Sequence, residues 1–512
     1  MNLGDFLDRS TALNPDKICL IQDEDGPRFT YRKVLDRTSR LTHLLRNLTV
    51  KKGDRVAIFL TNSFHYVEIY FSLARIGAIV VGLNFRLKEQ EAAYILNHSG
   101  AKVLILGEGN VPMFTSLRPS LPNVQHYLCI GAKGEKMLDY EEVLGQAPNH
   151  QPPGVEIGDQ ETIGIMYTSG TTGLPKGVEF SQKAIAVTFD YPSAIRPGVI
   201  LVNVPFYHIA GALNIYTAIY KESTLVIIPH FDAGKALRLI EKEKASETYL
   251  VPTMLRAILN HEEFKRRDLS SLQRIRYGAA PMPLDLLLRA LKELPCDYYN
   301  AFGQTETSGT AIALTEADHR LSGNEAEVGK KLKRLSGIGR PIPEVSCRLV
   351  DDQGQEVPAG SVGEILIRGE KILKGYWNDP EETTRTLRDG WLHTGDMAWI
   401  DGDGYLYLAD RKKDVIIRGG ENIYPAEVER ILNEHPKVLE SAVIGVEDVY
   451  WGEAAKAFVV LREGSVCSQE ELVEFCRSRL ASYKKPACIQ FVPELPKNTV
   501  GKVLKYVLRE RD

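Results

Sequence analysis

Residues 167–177 read YTSGTTGLPKG, a stretch with five hydroxyl side chains, three glycines and one lysine. Glycines let backbone amides approach an anion closely, hydroxyls donate to phosphate oxygens, and Lys176 supplies a point charge. An apolar run, 162–166, precedes the stretch, and Ser181 is placed to cap a helix after it, so a strand, a phosphate-holding loop and a helix are expected. A plain surface turn also uses glycine, serine and threonine, but rarely needs so many together. The loop is not of the Walker type. The fifth residue after Gly170 is Pro175, and Lys176 is followed by Gly177 rather than by Ser or Thr.

Working outward, short apolar runs at 55–60, 78–82 and 102–106 alternate with amphipathic helical stretches, and the alternation resumes beyond the loop at 199–204, 224–228 and 247–251. This pattern predicts α/β architecture with doubly wound sheets. Between 339 and 367 strand-like runs (346–350, 364–367) split by turns indicate a β subdomain, and Asp401-Gly402-Asp403-Gly404 reads as a hairpin turn. The cluster Arg411-Lys412-Lys413-Asp414 then interrupts the pattern, so a domain boundary is placed at 410/411: an N-terminal domain over 1–410 and a small α+β C-terminal domain over 411–512. In the latter, Pro425 opens a helix over 426–434, strands follow at 440–446 and 455–461, and a second helix spans 469–480.

With 512 residues, 44% of them hydrophobic, the chain can form more than one core. A net charge near −4 with both signs interspersed gives no footing for nucleic-acid binding. Seven scattered cysteines show no C-x-x-C spacing and read as reduced thiols. No signal-like start, no run of 18 apolar residues and no C-terminal address motif is found, so a cytoplasmic protein without an integral membrane segment is expected. The run KKLKR at 330–334 reads as a solvated loop rather than a lipid-binding patch.

Four further segments accompany the loop: YNAFGQTET (299–307), WLHTGD (391–396), DRKKDVIIRGGENIYPAE (410–427) and PKNTVGK (496–502). Together, and in this order, the five resemble the signatures of the AMP-forming acyl-CoA synthetase, adenylation-domain and luciferase superfamily, most closely the short bacterial fatty acyl-CoA synthetases. The resemblance implies a large N-terminal domain and a mobile C-terminal one, with ATP, Mg2+ and coenzyme A as cofactor and co-substrates. It implies that Thr168, Ser169, Gly170, Thr171, Thr172 and Lys176 hold phosphates, that Gly278, Ala279, Ala280, Asn300 and Ala301 adjoin the nucleotide, and that Phe302 stacks on adenine. Thr305 would contact the α-phosphate, Glu306 and Thr172 the magnesium, and Asp396 and Arg411 the ribose. Phe302 replaces the family's usual tyrosine and lacks its hydroxyl. Lys502 would be catalytic for the first step, in which a cation must bridge two anions, the carboxylate and the α-phosphate. Lys413 would be the hinge of a domain swing, after which Gly419 and Gly420 would line a pantetheine tunnel.

PFYHIAG (205–211) falls where amino-acid-activating members carry an aspartate for the substrate ammonium; His208 stands here instead, which argues against an amino-acid substrate. His208 is read either as a catalytic residue gating the acyl pocket or as a packed aromatic, and the sequence does not choose. Ile417 replaces a lysine that luciferases require. Neutral side chains at 207–215 and 278–282 suit a fatty or aromatic tail. The expected function is a fatty acid:CoA ligase forming acyl-CoA, AMP and pyrophosphate. An aryl acid:CoA ligase and an acyl-AMP ligase loading a carrier protein are the alternatives, and a homodimer is left open.

Overall fold

The computed structural model describes residues 2–131, 134–168, 174–191, 194–418, 421–480, 482–497, 501 and 503–510. Among these residues the strands form four sheets.

The first sheet has eight strands in the spatial order Gly375–Tyr376, Lys176–Ser181, Thr162–Thr168, Ile79–Gly82, Arg55–Phe59, Val103–Gly107, His126–Ile130 and Leu138–Asp139. From Thr162–Thr168 onward the neighbours are parallel. Parallel strands are covered by helices on both faces, which is why Val80, Ile58 and Ile105 are buried in an uninterrupted apolar run rather than in alternation. The nine-stranded second sheet runs Arg340–Pro341, Gly309–Leu314, Asp297–Gln304, Arg274–Gly278, Glu247–Leu250, Val199–Val202, Thr224–Ile227, Ile18–Gln22 and Arg28–Thr30. One large core cluster fills the space between the two, with Tyr66, Phe71, Phe206, Ile215 and Tyr216 among its fully or nearly buried members.

The strands expected at 55–60, 78–82, 102–106, 199–204, 224–228 and 247–251 are found to within one or two residues at their ends, and sequence and structure differ at the phosphate loop. The chain after the loop does not enter a helix directly: Lys176–Ser181 is a strand, antiparallel to Thr162–Thr168, with Thr168 opposite Lys176. Only then does Ser181 cap the short helix Gln182–Ala186, its Oγ accepting from the Ala184 N–H at 3.1 Å. The pattern K-G-V-E-F-S buries Val178 and Phe180 on one side, a period of two that the glycine content of the loop obscured.

The third sheet contains Ser346–Val350, Gly363–Arg368, Trp391–Ile400 and Leu387–Arg388, with Leu406–Arg411 pairing the long central strand. The expected hairpin at 401–404 is present, with Asp401 Oδ1 accepting from the N–H groups of Asp403 and Tyr405. The C-terminal domain has its own sheet of Glu421–Ile423, Ile416–Arg418, Gly452–Leu461, Val438–Asp448 and Cys488–Phe491. The helices Pro425–Asn433 and Gln469–Arg477 close its core, in which Val428, Leu432, Val443, Val459 and Leu472 are buried. No helix among the described residues is long and apolar enough to cross a membrane.

Candidate active site

In the second sheet the parallel strands Glu247–Leu250, Arg274–Gly278 and Asp297–Gln304 run side by side, and their carboxyl ends meet the segments singled out from the sequence. Open α/β sheets bind ligands at that edge, because backbone N–H groups and loops converge there. Gly278 pairs with Ala301 and Tyr277 with Asn300. A Cβ at Gly278 would lie 2.2 Å from the Ala301 carbonyl oxygen and 2.7 Å from the Tyr249 hydroxyl, so this wall admits no side chain. Ala279, next along, has φ +64, a left-handed conformation that strains a residue with a Cβ and that clusters at ligand sites.

Asp297–Gln304 carries Asn300, Ala301 and Phe302 and ends in a single 3-10 turn, Thr305–Thr307, which presents Thr305 and Glu306. The turn is held by Thr307 Oγ1, which accepts from the Gln304 N–H at 3.0 Å. Gln304 Nε2 donates to the Thr394 carbonyl at 3.3 Å and so brings the strand bearing Asp396 to the same place. Asp396 is 5% exposed and stands opposite Arg411 across the pair of strands Trp391–Ile400 and Leu406–Arg411. A carboxylate facing an arginine position on a neighbouring strand suits a sugar diol, which both donates and accepts.

A connecting strap that the sequence reading did not single out ties these parts to the phosphate loop. The Leu373 N–H donates to the Glu306 carbonyl at 2.7 Å, and the Tyr376 hydroxyl donates to Glu306 Oε1 at 3.0 Å. The Trp377 N–H donates to the Gly177 carbonyl at 2.7 Å, while Lys176 ion-pairs with Glu382. No local pattern in the sequence announces that Trp377 has its partner, Gly177, about 200 positions away. The same strap carries Lys371, only 1% exposed, whose Nζ donates to the Thr310 carbonyl on the strand Gly309–Leu314. Burial holds the Lys371 ammonium down to about 7.

His208 is the N-cap position of the helix Ile209–Tyr220, and its ring lies 4.5 Å from that of Tyr207. Removal from water lowers its pKa to about 4, so it is neutral at physiological pH. From the same helix Leu213 approaches Gly309, where an added Cβ would fall 2.7 Å from Leu213 Cδ1. Beneath Tyr249, the Arg276 guanidinium binds Glu247 and donates to Asn214 Oδ1 at 2.9 Å.

The two sides of Lys413 are held by different parts of the molecule. Lys412 Nζ reaches Asp352 at 2.8 Å and Glu364 at 3.3 Å, both in the β subdomain. Asp414 pairs with Arg509 at 2.6 Å on the terminal helix Lys505–Glu510. Lys413 lies between them. Gly501 is packed against the N-terminal domain, where a Cβ would meet Thr253 Oγ1 at 2.9 Å, just beyond the carboxyl end of Glu247–Leu250. Ser169, Gly170, Thr171, Thr172, Gly419, Gly420 and Lys502 lie outside the described residues, and Arg411 and Lys413 are described by their backbone alone.

Comparison with known proteins gives a consistent picture. The family model for AMP-binding enzymes matches residues 7–377, and that for the AMP-binding enzyme C-terminal domain matches 427–502. The chain is 37% identical to a feruloyl-CoA synthase of Amycolatopsis sp, over 95% of this chain and 94% of that protein. It is 34% identical to the fatty acid–[acyl-carrier-protein] ligase ScoC of Streptomyces coeruleorubidus, over 95% and 92%. Among solved structures, the anthranilate CoA ligase AuaEII in complex with anthranoyl-AMP superposes with a TM-score of 0.90 at 28% identity, over 100% of this chain and 97% of that one.

Proposed function

The chain belongs to the AMP-binding enzyme family, and from that premise we propose that it joins an apolar carboxylic acid to the thiol of coenzyme A through an acyl-adenylate. It is an ATP-dependent acid–thiol ligase. The acid carboxylate attacks the α-phosphate, pyrophosphate departs, and the thiol then displaces AMP from the acyl carbonyl. The observation that carries the site assignment is the convergence of Glu306, Asp396 and Lys176 through Gln304, Leu373 and Tyr376.

In this reading Asp396 and Arg411 bind the ribose, Phe302 stacks on the adenine beside Gly278, Ala279, Ala280 and Asn300, and Thr305 contacts the α-phosphate. The loop from Thr168 to Lys176 grips the β- and γ-phosphates. Glu306, a hard oxygen donor oriented by Tyr376, fits magnesium, and Thr172 would join it. The ion would screen the phosphate charge. Lys502 bridges carboxylate and α-phosphate, a role supported by the docking of Gly501 at the carboxyl edge of the sheet. The domain boundary at 410/411 and the hinge at Lys413 are supported by the divided anchoring of Lys412 and Asp414. Gly419 and Gly420 would admit pantetheine after the swing, and a cytoplasmic location would give the enzyme access to ATP and coenzyme A.

For the acid, the leading reading is a medium or long fatty acid, supported by the neutral surfaces of Leu213, Gly278 and Gly309. The aromatic reading is favoured by one observation: Tyr249, with the Arg276–Glu247 ion pair and Asn214 beneath it, lines the Gly278 wall and suits a compact, flat acid. Neutral His208 suits either, as an apolar-pocket gate. A screen of straight-chain acids from acetate to stearate and of benzoates and cinnamates, with AMP release as the readout, decides between them. Acid-dependent pyrophosphate exchange without turnover of coenzyme A would instead select carrier loading. Lys502→Ala should abolish adenylate formation and spare thioester formation from supplied acyl-AMP; equal loss of both halves contradicts the swing.

A further inference from the structure

Lys176 opens the strand Lys176–Ser181, and its ion-pair partner Glu382, 206 positions later, lies in the first turn of the helix Pro380–Thr386. Both side chains are withdrawn from solvent, at 13% and 10% exposure. Water therefore screens the pair weakly, and whatever anion faces the ammonium is felt strongly. Lys176 Nζ also lies 5.7 Å from the centroid of Tyr376, whose hydroxyl holds Glu306, so the pair stands beside the residues assigned to the phosphates and magnesium.

Glu382 is less restricted. Arg385 Nη1 reaches its Oε2 at 2.9 Å, and Thr386 Oγ1 donates to its Oε1 at 3.4 Å. Arg385 is 58% exposed and so can follow the carboxylate. When Lys176 turns to another anion, Glu382 is not left as an unpaired buried charge, the outcome that makes most buried pairs hard to open.

We propose that Glu382 competes with the β- and γ-phosphates for Lys176, loosening the grip on ATP and hastening the departure of pyrophosphate. This rests on the reading that Lys176 meets the phosphates. Like charges crowd when a polyphosphate sits beside a poorly screened carboxylate. The ammonium is shared: phosphate gains it on binding, and Glu382 reclaims it on release. Glu382 is thus a positioning residue that acts through Lys176 and touches no reacting atom.

The test compares Glu382→Gln with Glu381→Gln, the exposed neighbour on the same turn, so that both variants lose one negative charge. ATP KM, the inhibition constant of pyrophosphate and the KM of the acid are measured in the adenylation half-reaction. Glu382→Gln should lower the first two by about tenfold, the weight of one charge-assisted contact, and leave the acid KM unchanged; Glu381→Gln should move none of them. A rise in either constant would mean that Glu382 holds Lys176 in place for the phosphates, and no change would mean that it does not compete; both overturn the proposal. Lys176→Ala separates the two levels. If ATP KM does not rise in that variant, the reading of Lys176 fails; if it rises while Glu382→Gln has no effect, only the competition fails. Should Glu382→Gln not fold, Glu382→Asp keeps the charge but withdraws it by one methylene, and a smaller fall in the same two constants is expected.

Discussion

Replacing Tyr376 by Phe removes one oxygen and little else. The ring is 7% exposed and stays in its cluster, and the backbone pairing of Gly375–Tyr376 with Val178 and Glu179 is untouched. What is lost is the hydroxyl that donates to Glu306 Oε1 at 3.0 Å. Burial, and next the neighbouring Glu306 charge, raise the phenol pKa, so the hydroxyl remains a donor throughout the working pH range. A hydrogen bond to a charged acceptor contributes about 1.5–3 kcal/mol, or roughly 10- to 150-fold in the step that needs Glu306 in position. The assay is acid-dependent ATP–pyrophosphate exchange over a range of magnesium concentrations, set beside thioester formation from supplied acyl-AMP. Exchange should fall by that factor, and the magnesium concentration for half-maximal exchange should rise. If exchange keeps its wild-type rate, or if both half-reactions fall equally, the reasoning that Tyr376 orients Glu306 for the first step is refuted.

Gly278→Ala should cost about 1–3 kcal/mol of stability and raise the acid KM, because the new methyl meets a backbone carbonyl and cannot rotate away; a variant with unchanged melting temperature and acid KM would show that the wall is not closed. Lys371→Met tests the buried amine. Its pKa is lowered by burial from 10.5 to about 7, so between those values the unfolded chain holds a proton that the folded chain does not. Stability contributed by this site therefore rises with pH across that window, by up to about 1.4 kcal/mol per pH unit, and is lost as pH falls. Denaturant midpoints measured at pH 7.5 and pH 9.5 should differ less in Lys371→Met than in the parent, and an unchanged difference would remove Lys371 from the account.

The strands expected at 55–60, 102–106 and 199–204 could be read from the chain because each is a short run of apolar residues, and burial on both faces requires that composition. The parts of the site lying within a few residues of one another were legible for a related reason: hydroxyls, glycines and a lysine in one loop, or Thr305 beside Glu306, state their chemistry in the residue types themselves. The strand at Lys176–Ser181 was hidden, since Gly177 and Ser181 weaken a β pattern that only pairing with Thr162–Thr168 completes. The same holds for Glu382, Tyr376 and Lys371. Glutamate after proline in a first helical turn is ordinary helix chemistry, and nothing local distinguishes Glu382 from Glu381. Sequence thus determined the architecture and the kind of reaction, because burial and phosphate chemistry constrain residue type over short spans. Only the tertiary structure decided which carboxylate faces Lys176 and which hydroxyl holds Glu306, because those contacts arise from the packing of a strap that returns to the first sheet some 200 residues after leaving it.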